Sequence, residues 1–245
     1  MMPKFRDIGF VFKKEENGEY DFLFKIFSKD FGKVEVLGKG IRKINSKLKY
    51  QINLFSLVEF EFVQGRFFKR LTGVIAIERF KNLKQNIRAL SLSYYIGEIL
   101  DKLIIREEKD IMIFNLILNE FKILNDVNLP FRVHYLSYYY FFWNLASLLG
   151  YSPNLYSCCV CDKMVRSQKI YFNVKEGGLM CFHCFQNTMS GFLVSQNLIK
   201  ILRIINSKDF HILQRLKIGK KEIGELKYIS NLYLSFLLNY ETELI

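Results

Sequence analysis

The chain is predicted to be α+β: an N-terminal five-stranded barrel followed by a helical region that carries a small four-cysteine ribbon. Three observations lead there. The first 80 residues break into short runs rich in Phe, Val and Ile. From Lys81 the apolar spacing lengthens from strand-like to helix-like. All five cysteines of the 245-residue chain then fall between positions 158 and 184.

The strand runs are 7–14 (DIGFVFKK), 20–28 (YDFLFKIFS), 33–38 (KVEVLG), 52–63 (INLFSLVEFEFV) and 66–80 (RFFKRLTGVIAIERF). Turn-forming residues separate them in ENGE, KDFG, GKG and VQGR. In LVEFEFV, Val58, Phe60 and Phe62 point one way and Glu59 and Glu61 the other, the period of a half-buried strand. Five short strands in so little chain suit a small closed barrel, and five is the strand number of the OB-fold. Residues 1–80 are therefore expected to form one domain and 81–245 a second, helical one.

Helical spacing begins with Leu83, Ile87, Leu90, Tyr94 and Leu100. A second helix fits 110–124, before Pro130 breaks the pattern, and a third fits 131–149. That one ends at Gly150, in C-cap position, with Pro153 just beyond. Beyond the cysteines, 195–207, 209–216 and 220–241 all read as helices.

Cys158 and Cys161 form one C-x2-C, and Cys181 and Cys184 another. Two such pairs place four sulfurs around one ion, the donor set of a structural zinc site. The ribbon is expected over about 156–187, with Ile170, Phe172 and Val174 alternating along a hairpin strand and Gly177–Gly178 supplying its turn. Four thiolates leave no open coordination position, so the Zn2+ is structural. Cys159 is the odd thiol, and His183 lies between the second pair as an alternative ligand.

The formal charge is +12, concentrated in residues 1–80 and 151–245, and an excess of this size suits nucleic acid. The Lys-rich composition is also that of chains encoded by AT-rich genomes, so charge alone leaves the partner open. Lys33, Lys39, Arg42, Lys43, Lys47 and Lys49 crowd one stretch with a single acid, Glu35. Arg66, Lys69 and Arg70 alternate with Phe67, Phe68 and Leu71. On a barrel face such cations track a phosphate chain while an aromatic stacks on a base; the competing reading is a solvated loop over a buried Phe pair.

No phosphate-loop, H-E-x-x-H or G-x-S-x-G pattern occurs. His134, His183 and His211 are dispersed and read as structural. Glu98 and Asp101, beside Lys102, read as a solvated helix face, and Asp7 and Asp21 have no evident partners for metal-dependent nuclease chemistry. No active site is expected. No apolar run is long enough to span a bilayer and no leader pattern is present, so a soluble protein of the reducing cytoplasm is expected.

The segments 18–48, 55–66, 90–104, 148–163 and 176–184 together resemble the RecO family of bacterial recombination mediators. They carry its K-G-x-R-x-x-x-S-x-L pattern at 39–48, its L-G-Y-x-P at 149–153 and its two cysteine pairs. A glycine usually follows the first pair in that family; here Asp162 stands there. The resemblance implies an OB-fold and a zinc-bearing helical domain, binding of single- and double-stranded DNA, and strand annealing. It further implies action with RecR, to help RecA replace single-strand-binding protein at gaps, and a nucleoid-associated place in the cytoplasm. It implies neither ATP hydrolysis nor nuclease activity. It also implies a site in the helical domain for the acidic, Phe-ended tail of single-strand-binding protein, for which Lys200 and Arg203, with Arg215, Lys217, Lys220 and Lys221 nearby, are candidates. The alternative is an OB-fold and zinc-ribbon accessory factor of translation or transcription that binds RNA.

Overall fold

Strand-like alternation in the first 80 residues folds, in the computed structural model, into five strands: β1 (Lys4–Asn17), β2 (Asp21–Ser28), β3 (Gly32–Gly38), β4 (Ser56–Val63) and β5 (Lys69–Glu78). Residues 3–105, 107–165 and 169–243 are described, from 239 onward by backbone alone. The strands close in the order β1-β2-β3-β5-β4. Four junctions are antiparallel, and the last is a two-residue parallel ladder that pairs Val36 with Lys69 and Leu37 with Arg70. The expected α+β class and barrel are both present.

Alternation fixes what lies inside. Phe24, Ile26, Val34, Val36, Val58, Phe60 and Phe62 are all but fully buried, and their strand neighbours face outward. Ile41 and Ile52, from the long β3–β4 connection, close one end.

After β5 come α1 (Lys81–Gln85), α2 (Ile87–Leu103), α3 (Ile111–Asn125) and α4 (Phe131–Leu148). Asn86 caps α2 by accepting from the backbone N–H groups of Arg88 and Ala89, and Asp110 caps α3 in the same way. The Asn86 cap explains why the helical spacing from Leu83 to Leu100 is divided between two helices. Gly97 lets α2 approach β1: a Cβ there would lie 2.8 Å from the carbonyl oxygen of Phe12. Phe10, Phe55, Phe80 and Phe121 form a continuous ring cluster between barrel and helices, with Phe10 and Phe121 centroids 4.2 Å apart. The barrel and α1–α3 accordingly fall in one compact unit, residues 1–134, and residues 135–245 form a second.

In the second unit the hairpin β6 (Ile170–Asn173) and β7 (Gly178–Cys181) leads into α5 (Phe182–Thr188). A third strand, β8 (Phe192–Val194), pairs with β6 on its other edge. Then follow α6 (Gln196–Asn206), α7 (Phe210–Arg215) and α8 (Lys220–Glu243). Phe172 meets Trp143 and Tyr233 edge-on, and the buried Trp143 indole N–H donates to Ser230 Oγ at 2.9 Å. Among the described residues no helix is long and apolar enough to cross a membrane.

Candidate metal centre and nucleic-acid interface

The first C-x2-C sits in a loop that the backbone closes on itself. Asp162 N–H donates to Cys158 O at 2.9 Å, and Cys158 N–H to Lys163 O at the same distance. Asp162 adopts φ 56°, the left-handed turn for which a glycine would be the easiest residue and which Asp tolerates better than most. The second pair is no second turn of that kind. Cys181 ends β7 and is the N-cap of α5, while Cys184 lies in that helix's first turn. The order of hydrophobic residues signalled the hairpin, but the short α5, polar on most sides, carried too little apolar pattern to be read.

The four Sγ atoms of Cys158, Cys161, Cys181 and Cys184 lie within 4.8 Å of one another, and Cys161 and Cys181 are 3.9 Å apart. Sulfurs at the corners of a tetrahedron around a zinc ion, each about 2.3 Å from it, are about 3.8 Å apart, so the donor set fits. Cys158 is fully buried, which raises its thiol pKa. Backbone N–H groups of Cys181, Cys161 and Val160 aimed at its sulfur outweigh that and bring it down to about 6. Cys181 N–H reaches this sulfur at 3.4 Å. Cys159 and His183 stand outside the cluster; His183 is exposed and Cys159 N–H donates to Leu179 O.

The basic residues of the barrel part into three groups. Lys33 is not on an open face. Its ammonium is 3.0 Å from the Asp101 carboxylate and donates to the carbonyls of Asp101 and Ile104 at 2.5 and 2.8 Å. Asp101 also receives Lys13 at 2.7 Å and Lys25 at 2.8 Å. It is therefore the counter-charge of three lysines rather than part of a solvated helix face, and only Glu98, 3.1 Å from Lys13, keeps that exposed position. Burial opposes ionisation of Asp101, but hydrogen bonds from Lys13, Lys25 and Lys33 hold its pKa well below the usual carboxylate range. Sequence could not join these residues, since a bulge after Val11 is what sets Lys13 opposite Lys25. Lys69, its side chain 16% exposed, is likewise held by Glu107 at 2.6 Å.

Lys39, Arg66 and Arg70 come together around a cleft of about 220 Å³ with Phe67, whose ring is 82% exposed. Phe67 and Phe68 are thus no buried pair. Lys43 lies over Tyr20, Arg42 over Phe22 with Glu16 3.4 Å away, and Lys49 lines a separate groove. Lys47 is exposed. Asp7 and Asp21 have structural work: Asp7 accepts from Ser28 Oγ and from Asp30 N–H at 2.8 Å, and Asp21 accepts from Gly40 N–H at 2.6 Å.

In the second unit Lys200 is exposed, whereas Arg203 donates through Nε to Leu155 O at 2.9 Å and stacks on Tyr156 at 4.7 Å. Arg203 thus braces the segment that enters the first cysteine pair. Arg215, Lys217, Lys220 and Lys221 are exposed on α7, α8 and the loop between them. His134 is buried with Nε2 3.1 Å from Asp126 O, and His211 is exposed.

A five-stranded OB-type barrel, a helical unit and a cluster of four cysteines define an α+β class of protein with a candidate structural metal site. Two family models cover nearly the whole chain: recombination protein O N terminal over residues 1–80 and recombination protein O C terminal over 84–241. The chain belongs to the recombination protein O family. A Dehalococcoides mccartyi protein named DNA repair protein RecO is 27% identical over 237 residues, covering 97% of this chain and 92% of its own length. Proteins of the same name from a Roseiflexus and a Thermoanaerobacter species are 26% and 25% identical; they cover 96% and 88% of this chain, and 81% and 86% of their own lengths.

Proposed function

We propose that this protein is a DNA-binding mediator of recombinational repair. It binds single- and double-stranded DNA through the barrel of residues 1–80, anneals strands, and with RecR helps RecA replace single-strand-binding protein at gaps. The observation that carries the reading is the set of exposed cations interleaved with exposed aromatics around the β3–β4 and β4–β5 connections, Lys39, Lys43 and Arg66 beside Tyr20, Tyr50 and Phe67. Family membership supports the same reading. The role is one of binding rather than catalysis, in a protein of the cytoplasm that associates with the nucleoid.

One structural Zn2+ is held by Cys158, Cys161, Cys181 and Cys184, fixing a hairpin whose own buried cluster is small. The tail of single-strand-binding protein docks on the second unit, where Lys200 and the exposed cations of 215–221 offer partners for its carboxylates.

The test is annealing of complementary strands coated with the cognate single-strand-binding protein, with and without RecR. Faster annealing with the protein, and RecA loading only when RecR is added, are expected. No acceleration, or preference for RNA in direct competition, would replace this reading with that of an RNA-binding accessory factor.

A further inference from the structure

The outer surface of β1, β2 and β3 is where an OB barrel usually receives a strand, and here Asp101 of α2 sits on it. At the end of the barrel that Ile41 and Ile52 close, the surface above them is indented. A groove of about 270 Å³ lies there, with Lys14, Lys49 and Arg79 in its wall, Tyr50 and Asn53 at its rim, and no acidic residue in its lining. Phe22 lines it beside the buried Phe24, Ile41 and Ile52, with the Lys14 ammonium 3.8 Å and the Arg42 guanidinium 5.3 Å from the centre of the Phe22 ring.

The chemistry is that of a site built for an anion with an aromatic face. Two cations over one ring are tolerable because the ring's negative face offsets part of their repulsion. Glu16, 3.4 Å from Arg42 with its side chain 69% exposed, offsets a further part, and no acid pairs with Lys14 or Lys49 among the ion pairs of the described residues. Burial, and then the neighbouring Arg42 and Lys49, lower the pKa of Lys14. Tyr50 differs from Phe22. It is 67% exposed, with Lys49 6.0 Å from its ring centre, so a flat partner can still stack on it. The exposed Asn53 amide can both donate to and accept from a base edge.

We infer that this groove seats one unstacked nucleotide of a single strand, with its base on Tyr50 within reach of Asn53 and its phosphates against Lys14, Lys49 and Arg79. The inference rests on the DNA-binding reading above and adds where the strand is gripped. A paired base cannot reach Tyr50, so the groove favours single strands over duplex.

The experiment titrates the full-length protein into three labelled 12-mers of equal charge: dT, the same backbone with abasic sugars, and rU. Tyr50→Ala is expected to weaken dT binding about tenfold, in the range of one lost base stack, and abasic binding less than twofold. Tyr50→Phe should behave as wild type. Lys49→Ala should weaken both strands alike and lower the salt slope by about 0.7, the value of one single-strand phosphate contact. Equal losses on dT and abasic strands for Tyr50→Ala, or no loss on either, would overturn the groove assignment while leaving DNA binding intact. Wild type that binds no strand would overturn the DNA-binding reading itself. Tighter binding of rU than dT, with the same dependence on Tyr50, would keep the groove and change its ligand to RNA.

Discussion

Two sets of lysines on the same barrel meet opposite fates. Lys13, Lys25 and Lys33, on the outer faces of β1, β2 and β3, converge on Asp101. At the grooved end, Lys14 and Arg42 share the ring of Phe22, and Lys14 and Lys49 line a groove without acids. Like charges held close together need a counter-charge. The first set finds it inside the protein and becomes structure. The second has only the exposed Glu16, 3.4 Å from Arg42, and so keeps an excess of positive charge. The four cysteines would follow the same rule with the sign reversed: as thiolates packed within 4.8 Å they need a cation between them.

The rule breaks first, and most severely, at the thiols. Cys181→Ser should remove the metal and unfold the β6–β7 hairpin, while Cys159→Ser should keep about one zinc per chain, as counted by elemental analysis of tag-free protein. Retention of zinc by Cys181→Ser would bring the exposed His183 forward as a ligand. Because the sulfurs bind an ion as thiolates, protons compete with it, and zinc should be retained at neutral pH and released on acidification.

Next in size is Asp101→Asn, which strands three lysines and should cost about 3 kcal/mol in denaturant unfolding. The same carboxylate sets a pH dependence. Its folded pKa lies below its unfolded one near 4, so its contribution is complete above about pH 4 and is lost as the pH falls further. Stability of Asp101→Asn that equals wild type at pH 7 would dissolve the contrast between the two sets.

A smaller effect is expected beside the groove. Replacing Arg42 and Lys43 together by Ala should weaken binding to DNA of every sequence alike and reduce the salt slope by about 1 to 2, with stability little changed. The smallest and most discriminating prediction concerns Lys33→Gln, which should lower stability by about 1 kcal/mol, one charge-assisted contact, and leave DNA affinity within twofold. A loss of DNA affinity in this variant without a loss of stability would return Lys33 to the DNA-binding set.

Much of this could be read along the chain, because its causes are local. Alternation at Val58, Phe60 and Phe62 gave the barrel interior, the change of period at Lys81 gave the helices, and two C-x2-C spacings gave the thiol cluster. What escaped was short or remote. The α5 helix and the three-residue β8 carry too few residues for a period to register.

The sequence by itself determined the barrel strands, the longer helices, the clustering of the cysteines and the excess of positive charge, since each follows from neighbours a few positions apart. Only the tertiary structure decided which of those charges remain available. Asp101 is 88, 76 and 68 residues from Lys13, Lys25 and Lys33. Nothing in the spacing of any one segment brings them within 3 Å; a bulge in β1, a glycine at the crossing of α2 and the docking of that helix on the barrel do. Charge is a property of residues, but whether it is spent within the fold depends on distance, and distance belongs to the fold.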